Sequence, residues 1–159
     1  MEINRSLTFD NFKVCSCNMF AHAAVMSYMG YQLLVIYGES GAGKTHLLNA
    51  LANDLQNKIE SMHYIDMDEF IEMTKNNNLS IDQYSSYELL IIENLQKITS
   101  DDEAQRTLKS IIRERMGNEK HTIVSSQTKP SELDGLDESL ELILEWGLTT
   151  DIHAPQNID

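Results

Sequence analysis

One run of residues, Gly38-Glu39-Ser40-Gly41-Ala42-Gly43-Lys44-Thr45, restricts the possible folds more than any other part of the chain. Before it stands Leu33-Leu34-Val35-Ile36-Tyr37, a short apolar, β-branched segment with the character of a buried strand. After it, His46 to Leu55 places Leu48, Leu51 and Leu55 on one helical face. Strand, glycine-rich loop and helix together are the setting of a phosphate-binding loop. Glycines let successive backbone N–H groups turn inward around a polyphosphate, and the helix contributes the positive end of its dipole. Lys44 is expected to reach the β- and γ-phosphates, and the Thr45 hydroxyl to ligate Mg²⁺.

At 159 residues the chain has room for a single domain, expected to run 1–159. No apolar run approaches the ~20 residues needed to span a bilayer, and Met1-Glu2 does not open a signal peptide. A cytoplasmic protein is the expectation. The formal net charge is −13, with four arginines, Arg5, Arg106, Arg113 and Arg115. From Pro130 to the end there are eight acidic residues and no Lys or Arg. Affinity for a nucleic-acid backbone comes largely from basic side chains that displace counterions. A broad surface for double-stranded DNA is therefore not expected, and Arg106, Lys109 and Arg113 read as a solvated helix face. Cys15 and Cys17, the only cysteines, are too few for a zinc site even with His22. Lying one residue apart, they are read as small buried or half-buried thiols rather than a bridge.

Elements alternate along the chain. A first helix is predicted from an N-cap at Asn18, through Phe20, Ala21, Ala24 and Val25, to Gly30. The helix after the glycine loop is predicted to reach about Ile59. Strands are expected at Met62–Asp66, Glu88–Asn94, His121–Ser126 and Leu148–Ile152. Helices are expected around Asp68–Thr74 and over Asp101–Met116, the latter burying Ala104, Leu108, Ile111 and Ile112. The fold class is α/β, a parallel sheet with helices on both faces. In such sheets ligands sit beyond the carboxyl ends of the strands. That gathers the glycine loop, Glu93-Asn94 and Ser126-Gln127 around one crevice.

Several segments, in order, resemble the ATPase core of the bacterial replication initiator family DnaA, an AAA+ fold. They are Leu7-Thr8-Phe9-Asp10-Asn11-Phe12, Asn18 to Ala24, and Tyr37 to Leu48 with its His46-Leu47-Leu48 continuation. Further on come Leu89 to Gln96, Ser125-Ser126-Gln127 and Glu145-Trp146-Gly147-Leu148. The resemblance implies binding of ATP or ADP with Mg²⁺ by the glycine loop and His46, with Phe12, Val14 and Asn18 bordering the base. It implies Thr45 and Glu93 at the metal, and Glu93, Asn94 and Gln127 near the γ-phosphate. Trp146 is read as a packed aromatic.

The departures from that family carry as much information. Its N-terminal partner-binding domain, helical lid and C-terminal DNA-binding domain have no counterpart in these residues. The segment between Phe70 and Tyr84 is shorter than the family's single-stranded-DNA insertion. Two adjacent aspartates become Glu93 and Asn94, and an amide cannot take a proton from an attacking water. Where the family places an arginine that reaches a neighbour's γ-phosphate, this chain has Ile143, with Ser139 at a second arginine position. Such a finger contributes ~10³–10⁵ in rate in GTPases. A self-assembled filament is not expected, and hydrolysis is expected to be weak or absent. The reading that results is a regulator of replication initiation acting through contacts with an initiator or another AAA+ protein. The alternatives are a partner-stimulated ATPase of the helicase-loader or initiator-regulator type, a scaffold that has lost nucleotide binding, and a fragment of a divergent initiator.

Overall fold

The computed structural model describes residues 2–155; Met1 and residues 156–159 of the expected 1–159 domain lie outside them. Five strands form one wholly parallel sheet: β1 (Leu33–Tyr37), β2 (Met62–Asp66), β3 (Leu89–Glu93), β4 (His121–Ser126) and β5 (Leu148–Asp151). Their spatial order is β2-β3-β4-β1-β5. Among the described residues six α-helices accompany them: α1 (Met19–Met26) before β1, then α2 (Lys44–Leu55), α3 (Met67–Lys75), α4 (Ile81–Ser86), α5 (Asp102–Gly117) and α6 (Glu138–Leu144) between the strands. Among the described residues no helix is long and apolar enough to cross a membrane.

Period-two alternation along β1 divides the core. Leu34 and Ile36 face α1 and α2 together with Leu47, Leu48 and Leu51. Leu33 and Val35 face the opposite layer, where Phe70 of α3, Tyr84 of α4, Leu108 and Ile112 of α5 and Leu144 of α6 close over the sheet. On α5 the expected face is fully buried. Each such Leu or Ile contributes about 1.5–3 kcal/mol relative to exposure. Asp101 caps that helix, its carboxylate accepting the Ala104 N–H at 2.9 Å.

The predicted β1, β2 and β4 coincide with the observed strands. Other boundaries differ. Helix α1 ends at Met26 and passes into a 3-10 turn at Tyr28–Gly30. Asn18 holds the N-cap position of α1 without capping it. Its side chain instead accepts the Cys15 N–H and donates to the Lys13 carbonyl, folding the preceding loop. Helix α2 stops at Leu55, short of Ile59. The short helices α4 and α6 have no counterpart in the sequence reading.

Two expectations about single residues are overturned. Cys15 and Cys17 form a disulfide with Cα atoms 5.2 Å apart. The Cys15–Asn18 turn, in which the Asn18 N–H also reaches the Cys15 carbonyl, folds the backbone enough to bring the two sulfurs together. Trp146 is 69% exposed rather than packed. It follows the last turn of α6, where Ile143 and Leu144 take the inward positions and the indole is carried outward.

Candidate functional site

The glycine loop leaves the carboxyl end of β1 and enters α2. Gly41 (φ +84°) and Gly43 (φ +107°) occupy the left-handed region that side chains disfavour, which lets the loop turn tightly into α2. The loop is anchored from both sides: the Gly38 N–H donates to the Ser126 carbonyl at 3.0 Å, and the Ile152 N–H to the Tyr37 carbonyl at 2.9 Å. A Cβ on Gly38 would run into the backbone carbonyl of Ile152, so the close approach admits no side chain.

A cleft of about 250 Å³ opens at this point, lined by Ser40, Gly41, Gly43, Lys44, Thr45, His46, Asn94 and Gln127. Lys44 is nearly buried. Its ammonium donates to the carbonyl of Gly38 and, at 2.9 Å, to that of Glu39. Burial lowers its pKa, and the charges of Glu39 and Glu93 oppose that shift. The Ala42 N–H closes the loop on the Glu39 carbonyl at 3.1 Å.

Glu93, at the end of β3, is 3% exposed. Burial raises its pKa; the hydroxyls of Tyr64 and Thr45 beside it pull the other way. Its Oε1 is buried without a hydrogen-bond partner, as is Oγ of Ser126 at the end of β4. A buried carboxylate oxygen lacking a partner is costly, and the carboxylate that carries it interacts with Thr45 at the start of α2. A hydroxyl and a carboxylate are hard oxygen donors, the set that a magnesium ion accompanied by phosphate oxygens takes. Thr45 and Glu93 therefore fit the metal position that the loop implies.

Asn94 lies at the mouth of the cleft with φ +69°. Its amide is engaged on both sides, donating to Oδ2 of Asp66 at 2.6 Å and accepting from Nε2 of Gln96 at 3.2 Å. Gln96 in turn accepts the backbone N–H of Gln127 at 3.1 Å. A continuous row of hydrogen bonds thus crosses the carboxyl ends of β4, β3 and β2. Asp66 and Gln96 were not singled out by sequence reasoning. A carboxylate at the end of a predicted strand, directly before a helix, was the available signal for Asp66.

The residues expected around the base are placed behind the loop. Phe12 is buried, stacks on His22 with ring centres 5.7 Å apart, and packs near Gly43. Val14 is half exposed, and neither it nor Asn18 lines the cleft. The Nε2 of His46 lies 2.9 Å from both the Thr8 carbonyl and Oδ1 of Asn11, and its ring meets Phe12 edge-on. His46 thus ties the N-terminal segment to α2 while its other edge borders the cleft. On the far side, Glu39 accepts the Ala154 N–H at 3.2 Å and lies 3.4 Å from Nδ1 of His153. Ile143, at the expected finger position, is 4% exposed and belongs to the core beneath α6. Ser139 receives a hydrogen bond from Lys109 at 3.0 Å and donates to Asp137.

With this geometry in place, comparison with known proteins is specific. Residues 3–151 match the model of the bacterial DnaA ATPase domain. The chromosomal replication initiator protein DnaA of Wolinella succinogenes is 31% identical over 165 aligned positions, covering 97% of this chain and 38% of that protein. The chain therefore spans well under half the length of such relatives. The AMPPCP-bound DnaA from Aquifex aeolicus superposes with a TM-score of 0.87 at 28% identity, over 94% of this chain and 51% of that one. Domain III of the Thermotoga maritima initiator gives 0.88 at 27% identity, over 98% of this chain and 70% of that one. Five parallel strands, the loop after β1 and the polar ends of β3 and β4 all fall within the matched span, and the chain belongs to the bacterial DnaA ATPase-domain family.

Proposed function

We propose that this chain is an AAA+ nucleotide-binding module that holds ATP or ADP with Mg²⁺, hydrolyses it slowly on its own, and regulates replication initiation through contacts with an initiator or another AAA+ protein. The observation that carries the reading is the meeting of three features at the amino end of α2. These are two left-handed glycines, a nearly buried Lys44, and a buried Glu93 oxygen without a partner beside Thr45. In the binding role, loop N–H groups and Lys44 hold the phosphates, and Thr45 and Glu93 hold the metal. The magnesium ion, when bound, neutralises phosphate charge. Binding of AMPPCP by the Aquifex relative supports an adenine nucleotide.

Slow turnover rests on two features. The amide of Asn94 takes no proton from water and is held by Asp66 and Gln96. The position that would present an arginine to a neighbouring subunit is the buried Ile143. Without a finger a surrogate composite site forgoes ~10³–10⁵ in rate. A module that docks on an initiator while offering no finger to the next subunit would cap a growing assembly.

The test is direct. Nucleotide released from the purified protein is identified by chromatography, and calorimetry with Mg²⁺-ADP and Mg²⁺-AMPPCP measures binding. Saturable heat with both, and phosphate release that stays slow, is the expected result; release that rises when a partner is added favours the partner-stimulated ATPase instead. Absence of heat with every magnesium–nucleotide mixture ends the binding assignment, and brisk unaided turnover ends the slow-hydrolysis assignment. If mixing with an initiator leaves its oligomerisation and ATPase unchanged, the capping role is wrong.

A further inference from the structure

Helix α6 and the turn after it carry an exposed stripe that the nucleotide site does not use. Leu142 is 52% exposed, Trp146, one turn further on, 69%, and Leu148 at the start of the edge strand β5 37%. Among the described residues the indole makes no ring contact and its N–H no hydrogen bond. Exposed Leu and Trp together are costly in water, and Trp is the residue type most enriched where partners bind.

The surroundings specify the partner's charge. Glu138, Glu141 and Glu145 flank the apolar residues and, among the described residues, form no ion pair. From Pro130 onward the sequence supplies no Lys or Arg to neutralise them. Lys109 reaches only the start of the helix, through Ser139 and Asp137. Beside the stripe a cavity of about 300 Å³ is lined by Tyr37, Leu144, Glu145 and Thr149; Lys129 also lines it, set over the Tyr37 ring at 5.8 Å, and makes no ion pair with Glu145 among the described residues. An apolar seam one helical turn long with carboxylates along its flanks is complementary to a helix with apolar residues at i and i+4 and cations beside them.

We propose that the α6 face, centred on Leu142 and Trp146, docks a basic amphipathic helix of a partner protein. Apolar anchors pack on Trp146 and Leu142, and lysines or arginines pair with Glu138, Glu141 and Glu145. The proposal deepens the reading above, resting on it for the expectation of a protein partner. It assigns the missing-finger face to a different kind of contact from the phosphate-reaching one.

Trp146 is the only tryptophan, so its emission reports on this face alone. The probe is a Lys/Leu amphipathic helical peptide of about 18 residues, titrated into the whole chain with Trp146 emission recorded. A saturable blue shift that weakens with salt is expected, with no shift from a Glu/Leu peptide of the same pattern. Leu142→Ser, and separately Glu141→Lys with Glu145→Lys, weaken the peptide about tenfold or more. Glu60→Lys with Glu72→Lys, the same change in net charge elsewhere, leaves it unaltered. Nucleotide titration and circular dichroism of each variant are unchanged. Loss of Mg²⁺-ADP binding in the unmodified chain would count against the nucleotide reading and not against this surface. The proposal is overturned by an absent shift, by equal response to the acidic peptide, or by equal loss in the distant charge-reversal variant. It is overturned too by a shift that tracks protein concentration alone, which marks a second copy, or one produced by phosphatidylcholine vesicles and not by peptide.

Discussion

The side-chain amide of Asn94 donates to Oδ2 of Asp66 at 2.6 Å, tying the carboxyl ends of two neighbouring strands where the register pairs Asp66 with Glu93. Asp66 is shared further, accepting the Asp68 N–H on Oδ1 at 2.9 Å, with Lys97 3.5 Å away. An amide at position 94 is thus matched to a carboxylate on β2. Asn94→Asp would set two carboxylates against each other, where one of them holds a proton only at raised pKa. We expect a loss of about 1–3 kcal/mol at pH 7 in urea denaturation, shrinking as the pH falls and one carboxyl takes a proton. Adding Asp66→Asn restores stability, and the double variant releases phosphate faster than the parent.

Among the described residues, Lys44→Ala removes the one lysine or arginine side chain lining the cleft. Charge-assisted hydrogen bonds contribute about 1.5–3 kcal/mol, so Mg²⁺-ADP affinity measured by calorimetry falls about 10–100-fold with the fold intact. Thr45→Val, by contrast, diminishes chiefly the magnesium-dependent part of binding. Equal losses with and without magnesium would remove Thr45 from the metal.

Arg115 is completely buried with neutral partners only: Oγ1 of Thr122 and the carbonyls of Tyr84, Tyr87 and His121, at 2.6–2.8 Å. Burial lowers its pKa to about 10, and it remains charged at neutral pH. It clips the end of α4 and the entry of β3 to β4. Arg115→Met fills similar volume but strands those acceptors, and a loss of about 3 kcal/mol is expected from the denaturation midpoint. A neutral outcome would show that water takes over the acceptors.

His153 donates toward Asp151, with Nε2 2.8 Å from Oδ2, and also faces Glu39 of the glycine loop. Its pKa is raised, first by the hydrogen bond to Asp151 and then by the two carboxylate charges. Its contribution is therefore fully present below the ordinary value of 6.5 and is lost as the pH rises through the higher folded value. An NMR titration of the His153 ring should show a midpoint above 6.5 that moves back toward it in Asp151→Asn.

Most of the sheet was legible because β1 and β3 are continuous apolar runs and the glycine loop fixes what precedes and follows it. The long amphipathic α5 announced its buried face through Ala104, Leu108, Ile111 and Ile112. Helix α4, Ile81–Ser86, is short and polar, and only Tyr84 and Ser85 are buried, so periodicity has nothing to register. Helix α6 does bury Leu140, Ile143 and Leu144 at helical spacing, but its seven residues hold only one repeat of that pattern. The Asp66–Asn94 pair could not be seen at all until β2 and β3 were known to be neighbours: the two residues are 28 positions apart. Trp146 followed the general tendency of large aromatics to be buried, but its place just past the α6 C-terminus turned it to solvent. The Cys15–Cys17 bridge depends on a local turn fixed by Asn18, which spacing alone does not describe.

The Ile152 carbonyl occupies the space that any side chain on Gly38 would need, while the next residues fasten to Glu39 and to Cys17. Loop and tail are thereby keyed together like adjoining stones in an arch. Any movement of the loop is coupled to the backbone of residues 152–154, which its contacts hold from three points.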